Sequence, residues 1–572
     1  MSESMSESVS EVVTEESTSS SPPRMSFDRH IHEAASDSDS LPPPRMSFDR
    51  DNSTNTDSGL EHRVVGPDPN FAMPENYRMS EEPEAHPHWV RFQMWCRWTQ
   101  DRLLTMWLKR YYSYYWRHLA CWVLMTFSLS GLMYATGDGH LAYIDALFYT
   151  SSAVTATGLE TTDLSRETTG TQILLFFFML ISGTVFESMV PLCVRLWQIR
   201  RHRQKAADVP NDYSSDEEKY TCLTLLVIIA SYFFLMQVLS FLILGLYFQF
   251  SSAGSTVMAR NGINAWWFNL FQTASSFQNC GFGLLVDSLV QVNSQILPLL
   301  VYGALILLGN TGYPILLRAI LRFIVWVLSN RHQSPTRIRL ENVLNTPRNY
   351  MTHLFPAHQT KLLLMSLMSL TLLQTMLMCA LDNDTPTFLG LSDGYIFANG
   401  LFQSIAVRTA GTNSIVISSL KVESLVLMIG MMYLSVYPVT VSVRSTNTEQ
   451  DAHKQNATYQ LRRLLMQDAL WVFASWYVIC AIEGFTEYEN GFKTLFEVCS
   501  AFGTVGLSIG VTFAPYHFCG TFSVTSKLIT IMMMLLGRHR GMPDRLDGVF
   551  MNAFRPPTEV KSRQLVDEDL DP

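Results

Sequence analysis

Charge is scarce in this sequence. Only 16% of its 572 residues are Asp, Glu, Lys or Arg, while 48% are hydrophobic; soluble globular chains carry about 25% charged residues. That balance excludes an ordinary soluble protein and implies a polytopic membrane protein. The formal net charge of −9 signals no nucleic-acid partner, because the acids gather in two solvated tails, SESMSESVSEVVTEES at the start and VDEDLDP at the end. The 9 cysteines include no Cys-x-x-Cys pair, and most, such as Cys121, Cys193, Cys222, Cys379 and Cys480, fall in apolar runs. They read as small buried hydrophobes rather than metal ligands or a disulfide frame. A removable signal peptide is also missing, so the first span is expected to target the chain. There is no clustering of His, Asp or Ser within the apolar segments, and no Gly-x-Gly-x-x-Gly after a strand. No enzyme activity, cofactor or structural metal is therefore expected.

What is present is a repeat. In three places a Phe is followed four residues on by a Ser and ten residues on by a Gly: Phe148, Ser152, Gly158; Phe271, Ser275, Gly281; and Phe496, Ser500, Gly506. A fourth copy, GLFQSIAVRTAGT, has Phe402 and Gly411 one residue closer and lacks the aligned Ser. Each copy reads as a short helix that stops at a glycine between two long apolar segments. Irregular backbone at membrane depth is tolerated only where it is buried in protein or lines a watery cavity. Four such elements imply a ring of carbonyls around a hole.

The expected fold is an all-α membrane protein of four helix, pore-loop, helix repeats, eight spans in all, around a pseudo-fourfold pore. Residues 1–85 read as a disordered tail and 86–117 as an amphipathic juxtamembrane segment rich in Trp, Tyr, Arg and Lys, at the headgroup level of the bilayer. The transport domain covers 118–543, in units 118–205, 220–340, 361–445 and 464–543, and 544–572 form a second tail. The long second, fourth and sixth spans are expected as continuous helices near 171–197, 295–328 and 422–443. The octapeptide PPRMSFDR occurs twice in the first tail, either as a neutral duplication or as a pair of kinase sites at Ser26 and Ser47.

Basic residues set the orientation. Arg195, Arg200, Arg201, Arg203 and Lys205 follow the second span and Arg318, Arg322, Arg331, Arg337 and Arg339 the fourth, whereas the connections holding the pore loops are poor in Lys and Arg. Cytoplasmic loops hold the basic excess, so the pore loops are expected to enter from outside a plasma membrane, with both termini cytoplasmic. The sequon at Asn383 then lies outside and the one at Asn456 inside.

A pore helix that points its carbonyl end at the pore favours a cation, and a glycine after it lets successive carbonyls turn inward to replace an ion's hydration shell. The candidate ion-binding residues are Thr157, Gly158 and Leu159; Asn279, Cys280, Gly281 and Phe282; Thr409, Ala410, Gly411 and Thr412; and Thr504, Val505, Gly506 and Leu507. No ring of carboxylates is present among them, which argues against divalent selectivity. K+ is the expected ion. Na+ or mixed Na+/K+ transport is the alternative, and a secondary carrier with broken helices is a further one.

The segments SSFQNCGF, LLGNTGYPILLR, VRTAG, MMYLSVYPVTVSVRSTN, SAFGTVGLSIG and SKLITIMMMLLGRHRGMP resemble the Trk/Ktr/HKT superfamily of K+ and Na+ transporters, most closely its fungal-type Trk branch. The resemblance covers about Leu119 to Pro543 and implies a channel-like subunit, usually a homodimer with one pore per subunit. It carries the family's filter glycines onto Gly158, Gly281, Gly411 and Gly506. Gly rather than Ser at position 158 points to K+. The resemblance also implies a pore-lining basic residue below the filter at Lys527, for which snorkelling to the outer interface is the other reading. Arg408 either lines the permeation path or braces its loop against a carboxylate such as Glu497, and His539 reads as the cytoplasmic end of the last helix.

Overall fold

The computed structural model describes residues 114–137, 139, 141–205, 213–330, 334–434, 437–445, 457–511 and 516–540. The first tail with Ser26 and Ser47, nearly all of 86–117, Asn456 and the second tail lie outside these residues. Among the described residues the regular structure is helical and holds no β-strand.

The first unit runs α1 (Tyr114–Thr136), the pore helix α2 (Tyr143–Val154), α3 (Thr169–Ser182) and α4 (Thr184–Lys205). The second has α5 (Tyr213–Phe250), a short α6 (Ser252–Asn261), the pore helix α7 (Ala265–Gln278), α8 (Ile296–Gly309) and α9 (Tyr313–Val327). A linking α10 (Pro335–Asn345) leads to the third unit: α11 (Ala357–Leu381), the pore helix α12 (Asp393–Thr409), α13 (Val422–Leu434) and α14 (Tyr437–Ser445). The fourth unit has α15 (Ala457–Glu483), the pore helix α16 (Tyr488–Gly503) and α17 (Val524–His539).

Length and apolarity identify four stretches that can cross a membrane, in α1, α5, α11 and the segment beginning at α13; the pairs α3–α4 and α8–α9 add two more if each bent pair is one span. At 38 residues, α5 is about 57 Å long, well beyond a hydrocarbon core of about 30 Å. Its surplus lies at the polar start, where Glu217 pairs with Arg339 from α10 and Glu218 with Arg195 from α4.

The expectation of continuous second and fourth spans is corrected, whereas the sixth, Val422–Thr440, is a single candidate span. α3 stops at Gly183, whose backbone is extended (φ −77°, ψ 149°), and α4 leaves at 62°. A Cβ on Gly183 would stand 2.7 Å from Gln278 Cδ, at the end of the second pore helix. α8 and α9 meet at 83° across Asn310 (φ −137°, ψ −94°), and a Cβ on Gly309 would lie 2.7 Å from the Phe277 carbonyl carbon. At both breaks a pore-helix end occupies the space that a side chain would need.

The units close into a ring. α3 packs on α2 and also on α7, α8 on α7 and α12, α13 on α12 and α16, and α17 on α16 and back on α2. The apolar interior falls into two clusters, one around Phe271, Phe277, Tyr302 and Tyr313 and one around Met428, Met432, Phe496 and Phe502.

Candidate functional site

Each pore helix delivers its carbonyl end to the same kind of turn. Beyond α2, α7 and α16 stands one residue in the left-handed region, Ala156 (φ 54°), Asn279 (φ 57°) or Thr504 (φ 50°), and two positions later a glycine with φ of 86°, 87° and 93° at Gly158, Gly281 and Gly506. The third loop has no such residue: Ala410 is at φ −116° and Gly411 (φ 65°) follows directly. The one-residue shortening seen in the sequence is the loss of that left-handed residue. The turn is tied back to its helix in all four units, by Thr157 N–H to Ser152 O (2.8 Å), Cys280 N–H to Ser275 O (2.9 Å), Gly411 N–H to Ala406 O (3.2 Å) and Val505 N–H to Ser500 O (3.0 Å). The Ser of the repeat adds a second tie in two of them, accepting from Gly158 N–H (2.9 Å) and from Gly506 N–H (3.0 Å) through Oγ.

The four glycines face one another in order. A Cβ on Gly158 would lie 2.8 Å from Gly281 Cα, one on Gly281 2.6 Å from Ala410 O, one on Gly411 2.9 Å from Gly506 Cα, and one on Gly506 3.1 Å from the Gly158 carbonyl carbon. In every case the atom pressed hardest is the carbonyl oxygen just before the next glycine in the ring: Cys280, Ala410, Val505 and Thr157. No residue with a side chain fits this constriction, and positive φ disfavours one on conformational grounds as well.

The neighbouring side chains are engaged elsewhere. Leu159, Phe282 and Leu507 are buried in the packing, with Phe282 tilted on Tyr149 at 6.0 Å. Asn279 donates to Ile306 O (3.0 Å) and accepts from Thr409 Oγ1 (2.6 Å), which joins the second and third loops to α8. Thr157 shares a hydrogen bond with Thr155 (2.7 Å), Thr504 Oγ1 donates to Gly503 O, and Thr412 is fully buried. Side chains thus brace the loops, and the chemistry left for a ligand is backbone oxygen.

The family described as TrkH, cation transport protein, matches residues 203–553. The chain belongs to the TrkH family. A Dictyostelium discoideum protein is 36% identical over 343 residues, 59% of this chain and 50% of that protein. The Candida albicans potassium transporter TRK1 is 33% identical over 369 residues, 59% of this chain and 35% of its own length. The chain thus spans half or less of the curated relatives it matches. The solved potassium transporter TrkH of Vibrio parahaemolyticus aligns at 13% identity with a TM-score of 0.45, covering 78% of this chain and 85% of that one.

Four polar positions of this TrkH-family chain, Lys527, Arg408, Glu497 and His539, find partners that the sequence did not name. Lys527 Nζ meets Asp145 Oδ1 at 2.7 Å, with both side chains nearly buried. Asp145 is in the first turn of α2, at the opposite end of that helix from Gly158. The expected charge lining the pore below the glycines is corrected to an ion pair at the far end of the pore helix. Arg408 reaches Leu367 O (3.3 Å) and Thr371 Oγ1 (3.4 Å) on α11, so it braces its pore helix, but not against Glu497. Glu497 instead accepts from Cys519 N–H (3.0 Å). His539 bonds His118 (3.0 Å) and ties α17 to α1.

Proposed function

We propose that this chain carries K+ across the plasma membrane through the constriction formed at Gly158, Gly281, Gly411 and Gly506. The carrying observation is the closed order of the four glycines, each pressed against the carbonyl that precedes the next. Backbone oxygens in that arrangement can replace a cation's water shell, and four pore helices aim their negative ends at it. The TRK1 relative is named a potassium transporter, which supports K+ as the ion.

On this reading residues 118–543 form eight spans, with each bent pair counted as one and α15 and α17 supplying the fourth pair. Thr157–Leu159, Asn279–Phe282, Thr409–Thr412 and Thr504–Leu507 form the filter, mainly through their backbone. The basic residues toward the end of α4, and within and after α9, support a cytoplasmic location for both termini. A homodimer in the bilayer and a kinase acting on Ser26 and Ser47 complete the proposal.

The test is rescue of cells deficient in K+ uptake, with Rb+ and Na+ influx measured in parallel. Rescue with Rb+ influx exceeding Na+ influx is expected. Surface-expressed protein that moves neither ion overturns the proposal, and Na+ influx alone reassigns the ion.

A further inference from the structure

The filter glycines are followed two positions on by Glu160, Gly283, Asn413 and Ser508. Only Glu160 in this layer is a charged residue type. Its backbone is pinned by the fourth loop: Glu160 N–H donates to His517 Nδ1 (3.0 Å), and Glu160 O accepts from His517 N–H (3.3 Å). The side chain is only partly exposed, and among the described residues no Lys, Arg or His forms an ion pair with it.

A desolvated carboxylate without a counter-charge is costly. Asp163, three residues on, adds like charge although Arg166 pairs with it (3.1 Å). One position beyond Glu160, Thr161 is buried and its hydroxyl has no hydrogen-bond partner among the described residues; Ser414, the equivalent position of the third loop, is the same. The Thr161 and Ser414 hydroxyls are thus oxygen atoms just beyond the glycines of two loops that no group among the described residues satisfies.

We infer that Glu160, with the Thr161 hydroxyl beside it, forms an outer binding site for a monovalent cation that loads the glycine constriction. The inference rests on the transport reading above and adds the residue that sets apparent affinity. A single carboxylate in a narrow, low-dielectric mouth concentrates cations locally, and its field weakens as salt screens it.

The experiment measures initial Rb+ uptake against Rb+ concentration in cells expressing the full chain, at low and high ionic strength set with choline chloride, with rates normalised to surface protein. Glu160→Gln keeps the size and polarity of the side chain and removes the charge. It is expected to raise KM about tenfold at low ionic strength, more than it lowers the maximal rate, and to abolish the salt dependence of KM. A KM and salt response equal to wild type overturn the site. A structural defect would instead lower the maximal rate and leave the salt response in place. Glu160→Cys provides a second route: an anionic methanethiosulfonate reagent should restore the low KM and a cationic one should raise it further, and equal effects of the two overturn the site. If neither variant reaches the surface, the wild type decides, because a KM independent of ionic strength overturns the site. Wild-type protein that carries no Rb+ at all fails the transport reading instead.

Discussion

Lys527 Nζ, on the last described helix, sits 2.7 Å from Asp145 Oδ1, on the first pore helix, and closes the ring of four units with an ion pair. Removing one partner of a nearly buried pair strands the other charge and costs about 3–5 kcal/mol. Lys527→Gln and Asp145→Asn should each lower the melting temperature of the purified protein and its surface abundance. The double change Lys527→Met with Asp145→Leu should recover most of that loss. A double-mutant cycle showing no coupling between the positions would remove the pair as a structural element.

The four glycines should tolerate a side chain unequally. The nearest obstacle to a Cβ on Gly281 is 2.6 Å away, and at Gly158, Gly411 and Gly506 it is closer still. Serine at 281 should therefore retain more cation flux than serine at the other three. Gly158→Ser, which must push back the Cys280 carbonyl, should alter the Rb+ to Na+ ratio most. Reversal potentials and fluxes normalised to surface protein would rank them, and an equal response at all four would contradict the unequal approach of the carbonyls.

His353, in the loop before α11, gives an acid sensitivity with a defined sign. Burial first, then the positive charges of Arg348 and Arg538, hold its imidazole down to about 4, against about 6.5 for an unfolded histidine. The native state keeps it neutral where the unfolded chain takes up a proton. Its contribution is thus complete above about pH 6.5 and declines as pH falls toward 4. Melting temperatures at pH 7 and pH 5 should differ more for wild type than for His353→Gln.

Asn383 is exposed in the turn after α11, beside Asp384, whose carboxylate holds Lys421 at 2.6 Å. If the pore loops enter from outside, as proposed, expression in a eukaryotic cell should attach a glycan there. Asn383→Gln should then increase electrophoretic mobility as enzymatic deglycosylation does. No shift with either treatment would count against the orientation.

The repeat of Phe, Ser and Gly made the pore helices and the ring legible, because the capping geometry needs a glycine at a fixed distance from the helix and the hydroxyl at position 152 or 500 ties that glycine down. The shortened third copy was visible too, but its cause was conformational: a left-handed residue is absent, and no residue type announces that. The breaks at Gly183 and Gly309 were missed because apolar runs such as ILPLLVYGALILLG continue across or up to them. What interrupts the helix is Gln278 or Phe277 from another segment. Lys527 was legible as a charge out of place, whereas its partner, 382 positions away, left no local signal. Arg408 was legible as a brace, though its acceptors are the Leu367 carbonyl, which any residue offers, and the Thr371 hydroxyl.

The ring closure also imposes a schedule on synthesis. At about 5–20 residues per second, Asp145 leaves the ribosome some 20–80 s before Lys527, so throughout that interval the first pore helix carries its acid without the base that matches it. A nascent chain stopped short of α17 has three walls and an open side, with α2 lacking the helix that would pack against it. Contacts of such long sequence separation form late and slowly. Insertion machinery or a chaperone must hold the first unit in a state able to wait, and truncations that remove α17 will be degraded rather than accumulate as smaller transporters.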